Sequence, residues 1–160
     1  MDPDQASNDG PVRGLLARNG ARLLVLLVTL WAGALWTTGF IVAPTLFEML
    51  SDRALAGSIA GRLFHVLNWI GIVAGFYAVA FCLCERAGRG LRDSRVWLAG
   101  AMLAIALAMQ FGVQPLMADL RALGIEDEAV RSRFATWHGV SSVAYVIQSL
   151  LAVILVLRVR

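Results

Sequence analysis

The stretch Leu23–Pro44, with the sequence LLVLLVTLWAGALWTTGFIVAP, decides the fold because it contains no charged side chain. A helix needs about 20 mostly apolar residues to cross about 30 Å of hydrocarbon, so this stretch predicts a membrane span. Three later stretches meet the same requirement. The predicted spans cover residues 23–47, 63–84, 96–117 and 138–157.

The composition supports a membrane protein along the whole chain. Of the 160 residues, 59% are hydrophobic and 16% are charged, whereas soluble domains average about 45–50% apolar and about 25% charged residues. Two cysteines and four prolines exclude a disulfide-stapled or collagen-like class. We therefore predict an all-α, polytopic membrane four-helix bundle over residues 23–157, with the lipid bilayer as its surroundings.

The arginines predict the orientation. All 14 basic residues are arginines, and nine of them accompany the N-terminus, the second loop and the C-terminus, while five lie on the other side. By the positive-inside rule, both termini face the cytoplasm of a bacterial inner membrane. Residues 1–22 then form a cytoplasmic tail, and residues 1–12 have the polar composition of a disordered segment. Because these arginines report topology, we predict no nucleic-acid partner.

Small residues at intervals of four predict close helix packing, because membrane helices gain little hydrophobic energy from association. Gly71 and Gly75 form such a pair in the second span, and Gly57 and Gly61 precede it, where they would let that helix begin early. The third span carries a longer row, made of Gly100, Ala104, Ala108 and Gly112. We predict contact faces here, for this bundle, a second copy or another membrane protein. The frequency of glycine and alanine in membrane helices is the alternative explanation.

An internal repeat relates the two halves. The pattern F-x-V-x-P-x-x-x-acid occurs at Phe40–Glu48 and again 71 residues later at Phe111–Asp119. Downstream, the Phe-His pair at 64–65 recurs as Trp-His at 137–138, at an offset of 73 residues. We predict two tandem helical hairpins, related by a pseudo-twofold axis along the membrane normal. Coincidence is the alternative, because Phe and Val are common in apolar helices.

The polar residues of the spans gather toward the predicted external ends, at spacings of three or four that place each pair on one helical face. Polar groups within a membrane are costly and usually face the interior of a bundle or a cavity. We therefore predict an outward-facing ligand pocket. Its candidate residues are Pro44, Glu48, Asn68, Gln110, Gln114, Pro115, Asp119, Ser141 and Ser142, with His65 and His138 as metal or haem ligands.

Each candidate also has a simpler explanation. His65 and His138 suit an interfacial hydrogen bond to a loop carbonyl, and Glu48 and Asp119 suit solvated helix ends. Gln110 and Gln114 are harder to explain in this way, because they lie inside an uncharged span and need partners.

Two imidazoles with carboxylates suit a borderline metal ion, and two imidazoles on facing helices suit haem b. Our preferred prediction is a non-enzymatic membrane protein that binds or transports a metal ion or small solute. The alternatives are a haem-binding membrane oxidoreductase and a structural or assembly subunit. The sequence has no nucleotide-binding glycine loop, no G-x-S-x-G and no H-E-x-x-H, and we assign no catalytic residue.

Four short segments resemble the transmembrane protein 205-like family. They are VAPTLFEML (42–50), AGSIAGRLFH (56–65), QPLM (114–117) and FATWHGVSS (134–142). The resemblance implies a four-helical membrane protein, and the link of the animal members with resistance to platinum drugs implies metal- or sulfur-linked export. The motif positions of that family fall on Pro44, Phe47, Pro115, His138 and Ser141. More distantly, the architecture is similar to copper-resistance D proteins and to four-helix haem-binding protoporphyrinogen oxidases.

Overall fold

The computed structural model describes residues 3–85, 93–124 and 126–159, and the side chains from Gly14 onward. Two π-helical turns, Thr38–Val42 and Met109–Val113, interrupt otherwise continuous helices. The α-helices are α1 (Pro3–Thr37), α2 (Ala43–Met49), α3 (Arg53–Glu85), α4 (Ser94–Ala108), α5 (Gln114–Ala122) and α6 (Glu128–Val159).

The all-α membrane fold predicted from the sequence is confirmed. Four helical segments are long and apolar enough to cross a membrane. We name them spans 1 to 4, and they cover Gly14–Met49, Arg53–Glu85, Ser94–Ala122 and Glu128–Val159. The described residues contain no strand.

The helices extend beyond the apolar stretches that predicted them. Span 2 begins at Arg53 and span 4 at Glu128, about ten residues earlier than the apolar pattern indicates. With 33 residues and a rise of about 1.5 Å per residue, α3 is about 50 Å long, against about 30 Å of hydrocarbon. The polar residues near the start of α3 therefore lie within the helix but outside the apolar stretch that predicted it.

The prediction of a disordered segment at residues 1–12 is wrong for the part that the structure describes, because α1 begins at Pro3. Extension of an existing helix costs much less than nucleation of a new one. Proline is also tolerated in a first turn, where its missing N–H would have had no intrahelical partner.

The four spans form a ring in chain order. Span 2 packs between spans 1 and 3, and span 4 packs between the same two spans on the other side. Short connections, such as residues 50–52, make consecutive spans antiparallel. The buried core residues include Leu24, Val28, Trp31, Leu35, Leu67, Ala74, Ala78, Cys82, Val96, Ala99, Met102, Ala152, Leu155 and Val159.

Glycines bring span 2 close to both of its neighbours, as predicted. A Cβ atom on Gly71 would lie 2.6 Å from Nε1 of Trp31, so the indole of span 1 packs directly on the backbone of α3. A Cβ atom on Gly75 would lie 3.1 Å from Cβ of Leu103 in span 3. The two members of this G-x-x-x-G pair thus serve two different interfaces.

The small-residue row of span 3 is not a contact face within the bundle, and the prediction that it contacts a second copy or another membrane protein stays a prediction. A Cβ atom on Gly100 or Gly112 would meet no described atom within 4 Å, and Ala104 and Ala108 are exposed. The inward face of α4 is formed instead by Val96, Ala99, Met102, Leu103 and Ala106.

Candidate functional site

Each π turn precedes a proline. The N–H of Ala43 bonds to the carbonyl of Thr38, and the N–H of Gln114 bonds to the carbonyl of Met109, both with the wider spacing of a π turn. Pro44 and Pro115 follow directly, at the second position of α2 and α5. A proline cannot donate to the carbonyl four residues back and clashes with it, so an extra residue in the turn relieves both problems.

Gln110, in the second π turn, is the centre of a small polar cluster with His65 and Trp69. Gln110 is buried, with only 6% of its surface exposed. Nε2 of Gln110 lies 3.0 Å from Nδ1 of His65. Nε1 of Trp69 donates to Nε2 of the same imidazole at 3.2 Å. Both ring nitrogens of His65 therefore have a hydrogen-bonding partner within the protein.

The donor and acceptor roles of this cluster follow from Trp69. Indole is only a donor, so Nε2 of His65 must be the unprotonated acceptor and Nδ1 must carry the proton. A protonated Nδ1 needs an acceptor, which Gln110 supplies when its amide turns Oε1 toward the ring. In the opposite orientation Oε1 is buried without a partner among the described residues. With the amide of Gln110 turned so that Oε1 faces the ring, every hydrogen bond of the cluster fits the Nδ1–H tautomer of His65.

We therefore expect ¹⁵N-histidine NMR of the purified protein to show His65 as the Nδ1–H tautomer at neutral pH. Substitution His138→Gln removes the second histidine and makes the assignment unambiguous, since the chain has two. Trp69→Phe should release Nε2 and shift the tautomer population. A wild-type spectrum with the proton on Nε2 would contradict the cluster.

A cleft opens beside this cluster, between the N-terminal half of α3 and the length of α5. Its volume is about 500 Å³. Ser58, Arg62 and His65 come from one face of α3, at relative positions i, i+4 and i+7, and Gln114 and Arg121 come from one face of α5 at i and i+7. The remaining lining residues are Gly61 and Val66. Two guanidinium groups thus share a cleft whose lining contains no carboxylate.

Arg121 is fixed in this cleft from two sides. Its guanidinium carbon lies 5.3 Å from the centre of the Phe134 ring in α6, a cation–π arrangement. A Cβ atom on Gly61 would lie 3.2 Å from Nη1, so glycine allows the guanidinium to approach the backbone of α3. Within the described part of the chain, Arg121 has no acidic partner.

The structure brings together only part of the predicted pocket. His65, Gln110 and Gln114 belong to the cluster and the cleft. In span 4, the hydroxyls of Ser141 and Ser142 donate to the carbonyl of His138, whose ring stacks on Phe134 at 6.1 Å. These contacts are local to α6 and include no other predicted site residue.

The other predicted residues lie at helix surfaces. The side chains of Pro44, Glu48, Pro115 and Asp119 are exposed, and Asn68 is half-buried. The described residues offer no ion pair to either acidic side chain. The prediction that all these groups converge on one pocket stays a prediction.

The described surroundings of the histidines do not favour a metal ion, and their assignment as haem ligands stays a prediction. Among the residues that the structure describes, no three His, Cys, Asp or Glu side chains are grouped to hold a metal ion. Both ring nitrogens of His65 have hydrogen-bond partners. The ring of His138 stacks on Phe134, and the residue is otherwise exposed. The guanidinium groups beside His65 would also repel a cation.

Three polar residues of the cleft, Ser58, Arg62 and Arg121, are absent from the site predicted from the sequence. There, Arg62 and Arg121 were interpreted only as markers of topology. Their spacing from His65 and Gln114 was a usable signal, because it places each arginine on the same helical face as a predicted site residue. That signal depends on α3 and α5 continuing as helices beyond the apolar stretches.

The fold and its apolar surface define an integral, multi-pass membrane protein with four helical spans. Within that class, the chain belongs to the family described as a domain of unknown function (DUF4149), whose model matches residues 26–126. The matched range includes His65, Gln110 and both cleft arginines, and it ends before His138. No curated protein and no solved structure matches the chain. The resemblance to the transmembrane protein 205-like family is not confirmed by this match.

Proposed function

We propose that this membrane protein binds a small solute in the cleft between α3 and α5. The observation that carries the proposal is the convergence of Arg62, His65, Gln114 and Arg121 from two spans on one open cavity. A small number of convergent polar groups in one cavity is the arrangement that orients a ligand in a binding site. Of the two ligand classes expected from the sequence, a solute agrees better with the two guanidinium groups than a metal ion does.

The orientation is part of the proposal. The distribution of arginines favours cytoplasmic termini in a bacterial inner membrane, which places the cleft on the external side. The resemblance to transmembrane protein 205-like proteins agrees with a role in export or uptake, for which the cleft would be the external binding site.

We also propose that the bundle arose by duplication of a helical hairpin. The two π turns support this, because Thr38–Val42 and Met109–Val113 are separated by the same 71 residues as the two F-x-V-x-P patterns. The ring order places span 1 diagonal to span 3, as a twofold axis along the membrane normal requires. On this proposal the halves have diverged at the site, since the position equivalent to Gln110 is Gly39.

Protection of a cysteine in the cleft tests the solute proposal. Cys82 and Cys84 are first replaced by alanine, and Ser58→Cys is then labelled in spheroplasts with a membrane-impermeant maleimide. We expect labelling from outside, and at least threefold slower labelling with one of four probes: inorganic phosphate, succinate, glycerol or choline.

Ser51→Cys provides the matched control, because Ser51 is exposed at the same end of span 2 and does not line the cleft. Its labelling rate should be equal with and without each probe. If Ser58→Cys reacts only from the cytoplasmic side, the orientation is overturned. If no probe slows its labelling, the binding proposal is overturned.

A further inference from the structure

We infer that the solute is a phosphate-type oxyanion, and that Arg121 and Arg62 hold it. The inference rests on the proposed function, since it names the ligand class of the same cleft. Its basis is the charge of the lining, which contains two guanidinium groups and no carboxylate.

Arg121 is the principal ligand-binding residue in this inference. Phe134 holds one face of its guanidinium, and the backbone of α3 at Gly61 lies against its Nη atoms. Both contacts restrict the position of the group without using its N–H donors. Because a guanidinium presents a planar set of donors that matches two oxygens of a phosphate or carboxylate, a positioned Arg121 is prepared for bidentate binding.

His65 and Ser58, the other polar residues of the cleft, have hydrogen-bond partners within the protein. His65 is engaged by Gln110 and Trp69, and the hydroxyl of Ser58 donates to the carbonyl of Leu55 at 2.8 Å. The amide of Gln114 and the exposed guanidinium of Arg62 line the same cavity. The donors that can meet a ligand are therefore those of Arg121, Arg62 and Gln114.

The depth of the cleft suits a phosphate. Ser58 and Arg62 precede the apolar part of span 2, which begins near Leu63, and α3 is about 20 Å longer than the hydrocarbon is thick. The cleft therefore lies at the level of the lipid headgroups. A free phosphate and the phosphate of an anionic lipid present the same oxyanion to Arg121 at this level.

The test compares both sources in maltoside micelles, using the labelling rate of Ser58→Cys in the cysteine-free protein. One arm titrates inorganic phosphate at constant ionic strength. The other arm titrates dioctanoyl phosphatidylglycerol, with dioctanoylglycerol as the matched lipid that lacks phosphate. We expect protection in at least one of these arms and none from dioctanoylglycerol.

The arginine variants connect the protection to the proposed residues. Arg121→Gln should raise the Kd at least tenfold and Arg62→Gln about threefold, whereas Arg131→Gln, exposed on α6 outside the cleft, should leave it unchanged. Arg121→Lys keeps the charge and loses the bidentate geometry, so we expect an intermediate Kd. It also serves as the test if Arg121→Gln is not monodisperse.

The outcomes distinguish a failure of the oxyanion inference from a failure of the proposed solute binding. Protection by phosphate identifies a free anion, protection by phosphatidylglycerol alone identifies a lipid headgroup, and either result supports the inference. An unchanged Kd in Arg121→Gln and Arg121→Lys overturns it. Protection by glycerol or choline without protection by either phosphate source overturns the inference and leaves the proposed function standing. Absence of protection by every probe overturns both.

Discussion

Gly71→Ala is expected to destabilise the folded protein by about 3 kcal/mol, the upper part of the range for overpacked cores. The new Cβ atom would lie 2.6 Å from Nε1 and 2.8 Å from Cε2 and Cζ2 of Trp31. Trp31 is only 1% exposed, so its ring has no free space into which to turn. Chemical or thermal unfolding in a mild detergent measures the effect.

A second substitution tests the stated cause. Nε1 of Trp31 is buried without a hydrogen-bond partner among the described residues, so Trp31→Phe removes an unsatisfied donor together with the atoms that clash. We expect Gly71→Ala with Trp31→Phe to be more stable than Gly71→Ala alone, which is a non-additive result. Gly100→Ala, with open space around it, should be neutral or stabilising by up to about 1 kcal/mol, because alanine has the higher helix propensity. Equal effects at Gly71 and Gly100 would refute the packing.

The sequence predicts the membrane fold well because the bilayer imposes a simple rule on it. Backbone polar groups in hydrocarbon must be satisfied within the segment, so a long uncharged stretch such as Leu23–Pro44 has only the helix available. The pair Gly71 and Gly75 is also predicted correctly, since both glycines lie in helix interfaces.

The length of the helices is not predicted by the same rule. Hydropathy detects only the part of a helix that lies in hydrocarbon, whereas α3 continues through Arg53–Arg62 in a polar environment. The row from Gly100 to Gly112 shows a second limit. Spacing identifies a smooth helical face, but the facing residues of the neighbouring spans decide whether that face is buried.

For the site, the sequence predicts which residues are unusual more readily than what they contact. Gln110 was difficult to explain as an isolated polar residue, and it contacts His65 across the interface of spans 2 and 3. The similarity of His138 to His65 suggested two equivalent ligands, yet their surroundings differ, because His138 stacks on Phe134. The spacing of Arg121 from Gln114 places both on one helical face, but the contacts of Arg121 could not be predicted, because they depend on Gly61 and Phe134 from two other helices.

Gly39→Ala is the second substitution with a large expected effect, about 2 kcal/mol of destabilisation. Gly39 lies in the first π turn, and a Cβ atom there would be 2.2 Å from Cε1 of Tyr145 in span 4. The hydroxyl of Tyr145 donates to the carbonyl of Leu35, and its ring packs edge-on against Phe64 at 5.2 Å. Movement of the Tyr145 ring away from the new methyl group would break both the hydrogen bond to Leu35 and the contact with Phe64. The cost is lower than at Gly71 because Tyr145 is only half-buried.

Gly112 offers the matched control for Gly39, because it lies in the second π turn and has no described atom within 4 Å of an added Cβ. Gly112→Ala should therefore be near neutral, although both glycines occupy the same kind of turn. Tyr145→Leu in the Gly39→Ala background should recover part of the lost stability. If both alanine variants are equally destabilised, the π turn itself requires glycine. If only Gly39→Ala is destabilised and Tyr145→Leu relieves it, the cause is the contact between spans 1 and 4.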